Sequence, residues 1–148
     1  MSRANVEVVR KIYEAFNRRD IDGILDGMDP EVEIEETQDL AYAARLLRVL
    51  GPRFVVLSGA YQGREEVRKL FEAVWVISEW FQADPEEFVD GDEWVVVPLR
   101  LRARGRDSGE EGEAVTAHAW TMRDGKAAKL RVYAELEQAL EAVRLRTG

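Results

Sequence analysis

The chain is 148 residues long, 46% apolar, free of cysteine, and carries a net charge of −8. That length and apolar content suit one domain with a real core and exclude a largely disordered chain. The acidic balance speaks against a nucleic-acid binder, which needs a concentrated basic face, and the missing cysteines exclude disulfides, thiolate metal sites and Cys nucleophiles.

Met1 to Asn5 lead directly into a helical pattern without an apolar h-region, so no secretory signal is expected. Val6, Val9, Tyr13 and Phe16 recur at helical spacing, widened by Val8 and Ile12. Asn17 to Arg19 break this helix, and Asp20 caps a second one through Ile21, Ile24, Leu25 and Met28, stopped by Asp29-Pro30. From Glu31 to Glu36 apolar and acidic residues alternate as in a half-buried strand. Leu40 to Leu50 reads as a helix ended by Gly51-Pro52, and Phe54 to Leu57 is a short β-prone run without a clear place.

Gly63 opens a further helix whose stripe of Val67, Leu70, Phe71, Val74, Ile77 and Phe81 runs on to Pro85. From Glu86 the period becomes two. Asp90-Gly91-Asp92 separates a short strand from a long one, Glu93 to Arg104, and Gly105 to Gly112 forms a polar hairpin loop. Ala114 to Arg123 and Ala127 to Ala134 are strands joined at Asp124-Gly125, a pair suited to the positive φ angles of a two-residue hairpin. A last amphipathic helix carries Leu136, Leu140 and Val143. Helices followed by hairpin-linked strands make an α+β domain, a curved, mostly antiparallel sheet with helices on one face and a pocket between them. No apolar stretch approaches the ~20 residues that cross a bilayer. A single cytoplasmic domain spanning 1–148 is expected, without membrane contact.

Three segments carry a resemblance. Tyr13-Glu14-Ala15-Phe16-Asn17-Arg18-Arg19-Asp20-Ile21-Asp22-Gly23-Ile24, Gly59-Ala60-Tyr61-Gln62-Gly63-Arg64-Glu65-Glu66-Val67 and Trp120-Thr121-Met122-Arg123-Asp124-Gly125-Lys126 are similar to SnoaL-like proteins of the nuclear transport factor two-like superfamily, also called the cystatin-like α+β barrel. The resemblance implies a cone-shaped α+β barrel with a deep pocket, usually homodimeric, with residues 38–57 as a helical elaboration. It implies no single activity, since relatives include polyketide cyclases, ketosteroid isomerases, dehydratases, epoxide hydrolases and non-catalytic modules.

Laid against the ketosteroid isomerase pattern, the base position falls on Glu36, the phenol on Ile12 and the protonated acid on Ala117. Parity also puts Glu36 on the face of Val32 and Ile34, where an apolar setting suits a general base. The other reading is a strand-end glutamate turned to solvent. Ile12 and Ala117 cannot make an oxyanion hole, which argues against classical steroid isomerisation.

Continuing the Asp124-Gly125 hairpin register makes Ala117, Ala119, Leu130 and Val132 pocket liners, with Ile12, Phe16, Val97, Leu99 and Leu101, and with Trp75 as a candidate aromatic wall. His118, Trp120, Arg131 and Tyr133, with Trp94 and the Arg100, Arg102, Arg104 series, then form an outer face suited to a homodimer interface. If the faces are inverted, His118, Arg100 and Tyr133 converge in the cavity as an alternative polar site. One histidine cannot build a His-rich metal site, Gly59 and Gly63 lack a phosphate-loop ending, and the serines lack a nucleophile motif, so neither metal nor cofactor is expected. Two functions stay open. One is an isomerase, cyclase or lyase using Glu36 on a small hydrophobic carbonyl compound; the other is a non-catalytic ligand-binding or dimerisation module.

Overall fold

A computed structural model describes residues 3–36, 43–57 and 59–147. Helix α1 (Arg3–Asn17) buries Val9, Ile12, Tyr13, Ala15 and Phe16, and Arg19 then turns the chain through a positive φ. The Asp20 carboxylate accepts from the Gly23 amide and caps α2 (Ile21–Asp26), as its place before an apolar run suggests. This helix ends sooner than expected. Gly27 closes it, and Met28 already belongs to β1 (Met28–Glu35). Pro30 falls where the pairing of β1 with its neighbour is irregular, so its missing amide breaks no regular ladder.

The expected helix from Leu40 begins outside the described residues; its described part is α3 (Ala44–Leu50). The β-prone run at Phe54 is helical instead, within α4 (Pro52–Val56), because Pro52 stands at the first helical position, where a proline is favourable. A short strand, β2 (Ala60–Gln62), leads into α5 (Gly63–Ile77).

The apolar stripe of α5 does not continue to Phe81. At Ser78 the backbone turns extended (φ −122°, ψ 141°), and β3 (Ser78–Pro85) starts without a loop. The exposed carbonyls at this helix end are satisfied from afar. Arg106 donates to Val76 and Ser78, and Arg19 to Ser78 and Glu79. Phe81 sits four residues beyond Ile77, a spacing that imitates another helical turn. The period of two therefore starts at Ser78, not Glu86.

Strands β4 (Val89–Asp90), β5 (Trp94–Gly105), β6 (Glu111–Arg123) and β7 (Lys126–Tyr133) follow, then α6 (Leu136–Thr147). Asp124 and Gly125 both have positive φ (52° and 76°), as the hairpin turn requires. The sheet order is β2-β1-β7-β6-β5-β3, with β4 on β5; β1 runs parallel to β7 and the other pairs are antiparallel. The curved sheet is unclosed, and its concave face holds a core with α1, α2, α3 and α5. Helix α6 departs from the expected one-sided arrangement. It covers part of the convex face, burying Ala139, Leu140 and Val143 against Val96, Ala117 and Ala119. No helix among the described residues is long and apolar enough to cross a membrane.

Candidate active site

The concave face encloses a cavity of about 140 Å³, lined by apolar side chains almost throughout. Ile12 and Phe16 of α1, Leu70, Phe71 and Val74 of α5, Phe81 and Ala83 of β3, and Leu130 and Val132 of β7 form most of its wall. Phe54 of α4 and Leu57 just after it complete it. Among the described residues, the polar groups on it are Glu36, Tyr13, His118 and the indole of Trp120.

Tyr13, His118 and Trp120 are joined. The Tyr13 hydroxyl lies 2.8 Å from His118 Nδ1, and Trp120 Nε1 donates to the same hydroxyl at 2.9 Å. The phenol and imidazole rings are nearly parallel (15°), and the indole meets the phenol edge-on. Burial raises the Tyr13 phenol well above its ordinary range, an effect the Trp120 bond only partly offsets. Burial also lowers the His118 imidazole to about 3, so it is neutral at physiological pH. His118 keeps some accessible surface as a cavity residue, while Tyr13 and Trp120 are 4% and 2% exposed.

Glu36 follows the last residue of β1. Its amide donates to the Gly59 carbonyl (2.9 Å), and its side chain is half-buried. Glu36 and Val132 also border an outer depression of about 170 Å³ completed by Glu35, Arg131 and Tyr133. Burial tends to raise the Glu35 carboxyl, but Arg131 (2.6 Å) and Lys129 beside it hold it below the usual range. Burial first, then the charges of Glu36 and Glu66, raises the Tyr61 phenol.

The sheet faces differ from expectation on one strand. Ala117 and Ala119 do not line the cavity; they face α6, and His118 and Trp120 take the inner side. A β-bulge is the cause. Met122 pairs with Ala127, but Thr121 pairs with Lys129, so Ala128 is an extra residue on β7. An unbroken hairpin would set Ala119 against Leu130; the bulge sets Trp120 there and His118 against Val132. A shift of one residue exchanges every side chain of β6 between the faces.

The alternative polar site does not assemble either. His118 is inside, but Arg100 points outward to Glu113 and Tyr133 packs with the cluster under α6. Val97 and Leu99 lie in the concave core, yet Leu101 is the β5 residue on the cavity. Trp75 packs behind the wall with its ring tilted against Phe16 and Phe71, because Phe71 and Val74 take the cavity-facing phase of α5. Both Ile12 and Tyr13 reach the cavity. Sequence reasoning does not single out Tyr13 for the site, and its place in the apolar stripe of the first helix is the one signal for it.

The profile of the SnoaL-like domain matches residues 9–130. The chain belongs to the SnoaL-like family. TerC, crystallised with polyporic acid, is 26% identical, with 95% of this chain and 98% of TerC covered (TM-score 0.71). An NTF2-like protein of unknown function from Burkholderia pseudomallei is 26% identical over 100% of both chains (TM-score 0.74). A putative polyketide cyclase from Sinorhizobium meliloti, 16% identical over 85% of this chain and 93% of its own (TM-score 0.63), shares the cone-shaped fold. No curated protein matches the chain.

Within this SnoaL-like domain the described residues 43–57 do two things. Helix α3 packs Leu46, Val49 and Leu50 on the sheet beside Ala103 and Ala114, and the stretch after it carries Phe54 and Leu57 to the cavity. The polar points of the SnoaL-like cavity thus come from α1, the end of β1 and β6. A molecule inside would meet mostly apolar carbon, a carboxylate and a neutral imidazole.

Proposed function

We propose that this SnoaL-like domain takes up a small, flat, mostly apolar carbonyl compound and moves a proton on it, as isomerases, cyclases and dehydratases do. The observation that carries this reading is a single apolar cavity holding both the Glu36 carboxylate and the Tyr13–His118 pair. Glu36 would take a proton from the carbon beside the carbonyl. The electron pair would move onto the carbonyl oxygen, held by a hydrogen bond, and the proton would return to the same or a conjugated carbon. Apolar walls exclude water and strengthen such contacts. The co-crystallisation of TerC with polyporic acid supports a small organic ligand for this fold.

Proton exchange at the methyl group of acetophenone in D2O, followed by NMR, tests the reading. Wild type accelerates it, and Glu36→Gln slows it by about 100-fold while acetophenone still binds. A second reading, a non-catalytic ligand carrier, draws on the place of Glu36 between the cavity and the outer depression. Equal exchange with both proteins, with binding intact, would favour the carrier.

A homodimer through the convex face belongs to the same proposal, with a changed composition. Trp120 is inside, and Trp94 and Tyr133 pack against α6. What stays open is a ladder of Arg100–Glu113, Arg102–Asp84 and Arg104–Glu79 around Val115, which is 50% exposed. Sedimentation velocity at micromolar concentration is expected to give a two-copy species that Val115→Glu splits; a wild-type monomer removes the proposal.

A further inference from the structure

We infer that Trp120 and Tyr13 are positioning residues that lock His118 as the Nε2–H tautomer, so that the cavity offers a hydrogen-bond donor and selects ligands with a carbonyl or oxyanion acceptor. This rests on the proposed function only for placing the ligand in the cavity.

The assignment follows from counting protons. Trp120 Nε1 can only donate, so the Tyr13 oxygen accepts from it at 2.9 Å. The phenol has one proton left to give, and His118 Nδ1 stands 2.8 Å away. If Nδ1 carried the proton, the Tyr13 oxygen would accept twice and its own hydroxyl would have no acceptor among the described residues. Tyr13 is 4% exposed, and an unsatisfied hydroxyl at that depth is unfavourable. With Nδ1 accepting, Trp120 Nε1–H, the Tyr13 hydroxyl and His118 Nδ1 each have a partner, and the imidazole proton sits on Nε2. Among the described residues no protein group bonds Nε2, and His118 lines the cavity. A neutral imidazole N–H in an apolar cavity serves an acceptor well and a second donor badly. The volume of about 140 Å³ suits a ligand about one ring in size.

Because His118 is the chain's one histidine, nitrogen-15 NMR reads its tautomer without ambiguity. Ligand-free wild type is expected to show a protonated Nε2 and a bare Nδ1. Tyr13→Phe should give a tautomer mixture, and Trp120→Phe, which keeps the Tyr13–His118 pair, a weaker bias. Acetophenone should bind about tenfold more tightly than α-methylstyrene, which has its shape without the oxygen, and should shift the Nε2 resonance. A wild-type proton on Nδ1, a tautomer unmoved in both variants, or equal affinity for the two probes would each overturn the inference. The tautomer is read without ligand, so it separates from the proposed function. If Glu36→Gln leaves exchange untouched while the tautomer and carbonyl preference hold, only proton transfer by Glu36 falls.

Discussion

Between pH 6.5 and 4.5 the wild-type protein is expected to lose about 2–3 kcal/mol of stability that a His118→Asn variant keeps. Burial holds the His118 imidazole at about 3 in the folded chain, against about 6.5 when unfolded. Below pH 6.5 the unfolded chain therefore binds a proton that the folded chain refuses. Stability falls as pH drops, by up to ~1.4 kcal/mol per unit, until the folded group also titrates near 3. Over the whole span the loss reaches about 3–5 kcal/mol, a range that allows for the partial access of His118 to the cavity.

Carboxylates act lower on the pH scale. Asp20 is held low chiefly by the Gly23 amide and Asp29 by the Glu31 amide, while Glu35 is held low by Arg131 and Lys129 against the effect of burial. A group lowered in this way stabilises above its unfolded value and loses that contribution only as pH falls towards its folded one, so 6.5 to 4.5 belongs to the histidine. In His118→Asn the side-chain oxygen can still accept from Tyr13, but nothing titrates. Urea unfolding at half-unit pH steps gives the two curves. Parallel curves would mean that His118 is not held neutral by the fold.

Much of this fold was legible because its signals are local. The first helix, the Asp20 cap, the Asp124-Gly125 hairpin and the long β5 each announce themselves within a few residues. Strand β3 was not legible. Its inward residues, Phe81 and Ala83, alternate too briefly to outweigh a spacing that fits one more turn of α5. The site failed for a different reason. Parity along a strand holds, so His118 and Trp120 do share a face, as do Leu130 and Val132. Carrying that parity across a hairpin assumes that no residue is inserted, and Ala128 is one. No composition rule marks an alanine as a bulge. A single unpaired residue thus decides whether the cavity receives two alanines or an imidazole and an indole.

Gly105→Ala is expected to destabilise the protein by about 3–4 kcal/mol, lowering its midpoint by roughly 10 °C. A β-carbon at Gly105 would stand 1.8 Å from the Val49 carbonyl oxygen and 2.6 Å from Ser108 Oγ. The first is backbone of α3, which cannot move aside as a flexible side chain would. Helix α3 must retreat, breaking the 2.7 Å bond from Ser108 Oγ to that carbonyl and loosening Leu46, Val49 and Leu50. Gly109, in the loop that follows β5, is the control. It has a positive φ of 69° but open space where a β-carbon would go, so Gly109→Ala should lose only about 1 kcal/mol of backbone strain. Equal effects at the two positions would show that close packing of α3 is not what Gly105 provides. Because Phe54 and Leu57 follow α3 directly and wall the cavity, Gly105→Ala should also weaken acetophenone binding, and Gly109→Ala should not. The glycine-rich hairpin is thereby tied to the ligand site. It lets α3 sit close enough to the sheet for the segment after it to close the apolar wall facing Glu36 and His118.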